Sequence, residues 1–408
     1  MRSCKRSQRV KKIIEKSFSF YHDPLFEDVS LSDIAQKVGI TKAAIFKHFK
    51  NKEALVASMN EKIFDEIANL VRSLIDEKKT LARNHALSEV IHFLLSHREY
   101  IMYFQSNPQL MKDSVFILEM KKRNIDIPYK TNFHSSRDTK RYFANLFTHT
   151  SLFAFVMFRF KSLDAKAKVC SEKQFILQTK KLIAHGIGGV YLDKQKLKTL
   201  DAHCENNFKN LLPLDELHNA FFNVVFENGI QGITLSKMAQ KIGMSTSSLS
   251  EHFSNKNNMI FSLIEDALVQ LCHLIIEASL PLKEKNERLY VAFRLQLLYF
   301  VKYPNIVALF IRLLSHTDFY TTENGKRLLK KLYALIDSKK TESLFSKMDS
   351  RKESNILFVW LSSLASSIFI HCTMHHFSHK KILNESHEIF NFIQGGVKNE
   401  ELMNEKNN

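Results

Sequence analysis

Between residues 31 and 52 the apolar positions Ile34, Val38, Ile40, Ile45 and Phe49 recur at helical spacing, and the pattern breaks once, at Gly39. It predicts two short helices joined by a tight turn, with the apolar side of both facing one small core. Ala35 is small enough to let the second helix cross the first. Gly39 suits a backbone of positive φ, and Thr41 can cap the second helix by accepting a backbone N–H bond. The outward positions are then Lys42, Ala43, Phe46, Lys47 and His48. Donors, a cation and a small apolar surface on one helix suit the major groove of duplex DNA.

The pattern upstream predicts a helix over 5–21, with Val10, Ile13, Ile14, Ser17, Phe18 and Tyr21 inward and a strongly basic outer face. That face is either solvated or in contact with phosphates, and its position beside a groove-reading pair of helices favours phosphates. Ser30 caps the next helix, with Asp33 at the capping-box position, and its hydroxyl can also meet a phosphate. A long helix is predicted over 51–76, where Leu55, Met59, Ile63, Ile67, Leu70 and Leu74 share a face and Lys52 stands at the N-terminal end as a further phosphate contact. More helices follow over 85–106, 109–120, 139–161 and 172–192, with breaks at Pro108 and Pro128.

The stretch 31–52 returns as 235–256 and matches it at ten of twenty-two positions. In this second copy the outward and capping positions are Thr234, Ser245, Thr246, Ser247, Ser250 and Lys256. Weaker correspondences join 97–104 to 303–310, and Gly188, Gly189 and Val190 to Gly395, Gly396 and Val397. The chain therefore reads as two copies of one unit.

Both stretches resemble the DNA-binding region of the TetR/AcrR family of bacterial transcriptional regulators. The residues that carry the resemblance are the run from Ile45 to Phe49, followed by Lys52, Glu53, Ala54 and Leu55 at the start of a long helix. The resemblance implies a three-helix DNA-binding head, a helical ligand-binding body, and pairing through the last two helices of each body. The fold class expected is all-α, with two tandem TetR-like units. The expected boundaries are 1–55 and 213–259 for the heads, the second of them degenerate in part, 56–193 and 260–408 for the bodies, and 194–212 for a linker.

The formal net charge of +17 favours a polyanionic partner, nucleic acid or an acidic membrane, and does not choose between them. Five scattered cysteines without CxxC spacing indicate neither a disulfide framework nor a zinc knuckle, and the N-terminus lacks the apolar core of a secretory signal, so the expectation is a cytoplasmic protein. Uncharged runs at 142–158 and 354–379 each fall at the penultimate helix of their half. The apolar core of the second is shorter than a membrane span of about 20 residues, and both runs suit helices that pair with each other, making a monomeric pseudo-dimer of one chain with no membrane partner. His371, His375 and His379 share a helical face, yet one helix lacks convergent ligands, so no metal and no cofactor is expected. Tyr100, Tyr103, Phe104, Phe116, Phe147 and Phe153 are candidates for the lining of a pocket for a small apolar or aromatic ligand, with plain core as the alternative. The sequence holds no Gly-rich phosphate loop, no G-x-S-x-G and no H-E-x-x-H, which argues against an enzyme and leaves no catalytic residue to name.

The two heads are unequal. Residues 5–60 hold eleven Lys and Arg against six Asp and Glu, whereas 209–264 hold four against four. Where the first copy has Phe46 and Lys47 the second has Ser250 and Glu251, and the tyrosine that the family usually carries there is missing from both. The reading is a regulator, of repressor type, that binds double-stranded DNA through two unequal heads. Its alternatives are a chain in which only the first head binds DNA and the second half pairs or senses, and a basic peripheral membrane or scaffold protein.

Overall fold

A computed structural model describes residues 2–22, 30–74, 83–107, 110, 113–126, 136–164, 170–228, 232–307, 323–336, 350–374 and 377–397. The protein is all-α: no strand occurs among the described residues. The chain divides into two compact units, 1–132 with 407–408, and 133–406. The segments leading into the two reading stretches (23–29 and 229–231) and His375 lie outside the described residues.

The first unit contains α1 (Arg2–Phe18), α2 (Leu31–Val38), α3 (Lys42–Phe46), α4 (Lys52–Leu74), α5 (Arg83–Ser96), α6 (Arg98–Ser106) and α7 (Asp113–Lys122). The first helix stops at Phe18 and tightens into a 3-10 turn, Ser19–His22. Ile13, Ile14 and Phe18 of α1 meet Leu31, Ile34, Ala35 and Val38 of α2, Ile45 of α3, and Leu55, Met59 and Ile63 of α4 in one core. Tyr100 and Tyr103 close that core from α6, each with its ring edge-on to Phe18 at centroid distances of 5.0 and 5.3 Å. Their apolar bodies therefore serve core packing, while the Tyr103 hydroxyl donates to Asn60 of α4 at 2.6 Å. Phe104 and Phe116 pack, partly buried, against a neighbouring cluster of Phe64, Ala68, Met120 and Ile125.

Polar contacts fix α4 to the helices after it. The Arg123 guanidinium, with a side chain only 9% exposed, reaches Glu61 (2.5 Å) and Asp65 (2.7 Å) of α4 and Glu119 (2.6 Å) of α7. Three carboxylates around one planar cation hold its proton more firmly than usual. Asn124 follows in the left-handed conformation (φ 59) and ends α7, and Ile125 donates back to the Met120 carbonyl at 2.9 Å.

The second unit contains α8 (Ser136–Asp164), α9 (Glu172–His185), α10 (Lys194–Lys209), α11 (Glu216–Asn228), α12 (Leu235–Lys241), α13 (Thr246–His252), α14 (Lys256–Ser279), α15 (Lys285–Lys302), α16 (Glu323–Ile336), α17 (Ser350–Met374) and α18 (His379–Gly395). The division between the units falls ahead of α8 rather than at the linker, because α8 and α17, which carry the two uncharged runs, pack together. Phe147 and Phe155 of α8 lie against Trp360 of α17, whose indole N–H donates to the Ser151 hydroxyl at 2.7 Å. Phe147 is fully buried there and also meets Phe392 of α18, whereas Phe153 is half-buried.

The ends of α9 and α18 join reciprocally. Gly186 and Gly396 both leave their helices with positive φ (65 and 64) and donate to the carbonyl four residues back at 2.8 Å. Ile187 N–H donates to the Ile393 carbonyl at 2.9 Å, and Val397 N–H to the Ile183 carbonyl at 3.0 Å. A Cβ on Gly186 would stand 2.6 Å from the Gln394 backbone, and one on Gly396 would stand 2.2 Å from that of Ala184. The equivalent glycines are thus Gly186 and Gly396; the pairing of Gly188 with Gly395 drawn from sequence is three residues out of register.

Residues 194–212, expected as a linker, are mostly helix. Asp193 caps α10, and Leu197, Leu200 and Cys204 form its buried face against α14 and α15. Asp201 on the same helix accepts from the Tyr290 hydroxyl of α15 and from His387 of α18 at 2.8 Å, and forms an ion pair with Arg294 of α15 at 3.0 Å. Arg294 also donates to the Ser386 hydroxyl at 2.9 Å and to the Leu383 carbonyl, so a buried cation of α15 is paired with a carboxylate of α10 and bonded to α18.

Two further expectations change. His371 and His379 do not share a helical face, because α17 ends at Met374 and Ser378 caps a new helix that begins at His379; His371 is buried and pairs with the Tyr142 hydroxyl. Among the described residues, the helix long and apolar enough to cross a membrane, by length and composition, is not in the 354–379 run but is α14. Of its most apolar 18 residues, with a mean hydropathy of 1.8, 67% are buried within the unit, as suits a core helix packed on α15 and α16.

Candidate nucleic-acid interface

The reading surface is built from the turn outward. Ser30 accepts from the Asp33 N–H at 3.2 Å while its own N–H donates to the Asp33 carboxylate at 2.8 Å, completing a capping box at the start of α2. A third bond, from the Ser30 hydroxyl to the same carboxylate (2.6 Å), helps to hold the Asp33 pKa below the usual carboxylate value. Lys37 pins α2 to the turn behind α1, with its ammonium 4.0 Å from the centre of the Phe20 ring. Gly39 ends α2 at φ 77, a conformation that strains any side chain, and the Ile40 N–H returns to the Ala35 carbonyl at 2.9 Å.

Thr41 then caps α3 through a bond from the Ala44 N–H (3.1 Å). The helix is short, ending at Phe46, but Phe49 continues the inward pattern with an N–H bond to the Ile45 carbonyl at 3.0 Å. With Ile45 fully buried, Lys42, Ala43, Phe46 and Lys47 are exposed together, as are Ser30 and Thr41, while His48 and Lys52 are partly buried. Taking 100° per residue, the exposed four occupy an arc of about 140° on the side away from Ile45. Arg9, Lys11, Lys12 and Lys16 are exposed on α1. Asn51, which the sequence reading passed over, caps α4 by accepting from the Ala54 N–H at 2.9 Å. Its signal was available: an asparagine directly ahead of a long amphipathic run.

The N-caps and the turn recur 204 residues later, without the capping-box carboxylate. Thr234 caps α12 (3.1 Å from the Lys237 N–H), Gly243 takes φ 68, and Met244 N–H returns to the Ala239 carbonyl at 2.9 Å. Ser245 caps α13 (3.0 Å from the Ser248 N–H), Leu249 is buried, and Asn255 caps α14 (2.9 Å from the Asn258 N–H). Thr234, Ser245, Thr246, Ser247, Ser250 and Glu251 are exposed, and Lys256 is partly buried. Ser250 turns its hydroxyl back to the Thr246 carbonyl at 2.8 Å.

Two short helices crossing at a tight turn, with a cationic and partly apolar outer face on the second, define a helix–turn–helix DNA-binding module. Residues 26–59, which carry α2, α3 and the first turns of α4, match the family model described as bacterial regulatory proteins, TetR family. The match supports a TetR-type regulator of transcription whose partner is double-stranded DNA, a class of regulators rather than enzymes.

Proposed function

We propose that the protein is a sequence-specific transcriptional regulator in which two unequal heads of one chain bind one duplex. The observation that carries DNA reading is the exposed set Lys42, Ala43, Phe46 and Lys47, opposite the buried Ile45, inside the matched stretch. The second head is supported by the repeated caps and turn 204 residues on. The pseudo-dimer is supported by the α8–α17 packing and the reciprocal joining at Gly186 and Gly396. A cytoplasmic, ligand-responsive repressor with one head in the N-terminal half and one in the C-terminal half follows from the resemblance. A titration of salt against affinity for a selected site and for random DNA tests the reading: site-specific binding should be on the order of a thousandfold tighter or more at physiological salt. Equal affinity for both would point to the basic scaffold or membrane-surface alternative.

A second reading, in which only the first head binds DNA, is favoured by one observation. At the position of Lys47 the second head exposes the carboxylate of Glu251, and the net charge over 209–264 is zero. On this reading each chain protects one half-site, and two chains occupy an operator.

A further inference from the structure

Phe46 is 45% exposed on the reading face, while every other large apolar side chain of α2 and α3 is buried or partly buried. It lies inside the outward arc, flanked by Lys42, Ala43 and Lys47, and has no polar atom with which to meet a phosphate. An exposed ring in the midst of cations gains from water only if an apolar group covers it. In the major groove one base-pair edge offers such a group, the C5-methyl of thymine, and 5-methylcytosine offers the same chemistry in modified DNA. The second head has no counterpart, since Ser250 occupies the equivalent place and its hydroxyl is turned back onto its own helix.

Resting on the DNA-binding reading, we infer that Phe46 determines specificity by packing on a pyrimidine C5-methyl, that of thymine, and that this contact is made in one half-site only. The phosphate contacts of the neighbouring lysines set the register, and the ring reads the methyl.

The test uses the full chain and a site selected from random DNA, with each thymine replaced singly by uracil, which removes the methyl and leaves the pairing unchanged. One replacement, in one half-site, should weaken binding about three- to fivefold, the value of roughly one buried methyl. The same replacement should have no effect on Phe46→Ser, which copies the second head, or on Phe46→Ala, and both variants should keep the melting temperature of the parent. Loss at equivalent thymines of both half-sites, or a loss that persists in the Phe46 variants, overturns the assignment. So does a site in which no thymine responds and only a cytosine-to-5-methylcytosine change does. A protein that selects no sequence at all would instead overturn the DNA-reading proposal on which this rests.

Discussion

The two reading stretches share a backbone and differ in what they present. At 31–52 and 235–256 the same positions cap, turn and bury: Thr41 and Ser245, Gly39 and Gly243, Ile45 and Leu249, Asn51 and Asn255. The exposed arc follows no such rule. It carries Lys42, Ala43, Phe46 and Lys47 in one copy and Thr246, Ser247, Ser250 and Glu251 in the other. Local structure needs small caps, a residue that accepts positive φ and an inward apolar position. Groove chemistry depends on a separate set of side chains, which can change without disturbing the helices. Resemblance in the first set therefore says little about activity in the second.

The largest effects should come from the join where the two halves are alike. Gly186→Ala and Gly396→Ala each place a Cβ against backbone at a φ that disfavours side chains, so each should destabilise by about 3 kcal/mol or more in denaturant melts. If one of the two is tolerated, the reciprocal arrangement of α9 and α18 is not symmetric in energy.

Charge exchange separates the heads next. Lys47→Glu should weaken operator binding roughly tenfold or more at low salt, and Glu251→Lys should tighten it by a similar factor, both effects shrinking as salt rises. No effect of Glu251→Lys would mean that the second head stays off the DNA. Weaker binding would mean that Glu251 accepts a hydrogen bond from a base. Lys47→Ala and Lys52→Ala should each lower the salt slope by about one unit if each side chain meets a phosphate. Unchanged slopes in both would remove those contacts from the interface.

The turn glycines are predicted to be equal. Gly39→Ala and Gly243→Ala meet no atom within 4 Å, so each should cost only the strain of the left-handed backbone, about 1–2 kcal/mol. A large difference between them would show that one turn is relaxed in a way its φ does not suggest.

The smallest effect distinguishes the caps by pH. The bonds from Ser30 lower the folded-state pKa of Asp33, so its contribution is present above the usual carboxylate value and is lost as pH falls through the lowered one. The destabilisation caused by Ser30→Ala should therefore shrink on acidification. Lys237 stands in the place of Asp33 in the second head, and the effect of Thr234→Ala should not change over the same range. Melts of the two variants against the parent, at neutral and acidic pH, read both.

How much of this was legible in the sequence depends on where the determinants lie. The caps, the turn glycine and the inward apolar positions of α2, α3 and α4 are local, and the chain spells them out within a few residues. Residues 194–212, rich in Lys, Asn and Leu, look like a linker; the burial of Leu197, Leu200 and Cys204, and the contacts of Asp201, depend on α15 and α18, far along the chain. The histidines at 371–379 fit one helix by spacing alone, but Ser378 caps a new one. Tyr100 and Tyr103 read from the residues as core, with a pocket raised by the family resemblance, and Phe18, more than eighty residues earlier, is what seats them in the core. The glycine alignment failed for a related reason: three glycines stand near the end of α9 and two near the end of α18, and only backbone geometry identifies the equivalent pair.

The central claim, that both heads of one chain engage one duplex, is tested most directly by the mass of the complex in solution. Light scattering of the protein bound to a duplex carrying the complete selected site should give one chain per duplex, with no further chain added as protein is raised to micromolar excess. A stable complex of two chains per duplex, one to each half-site, would contradict it.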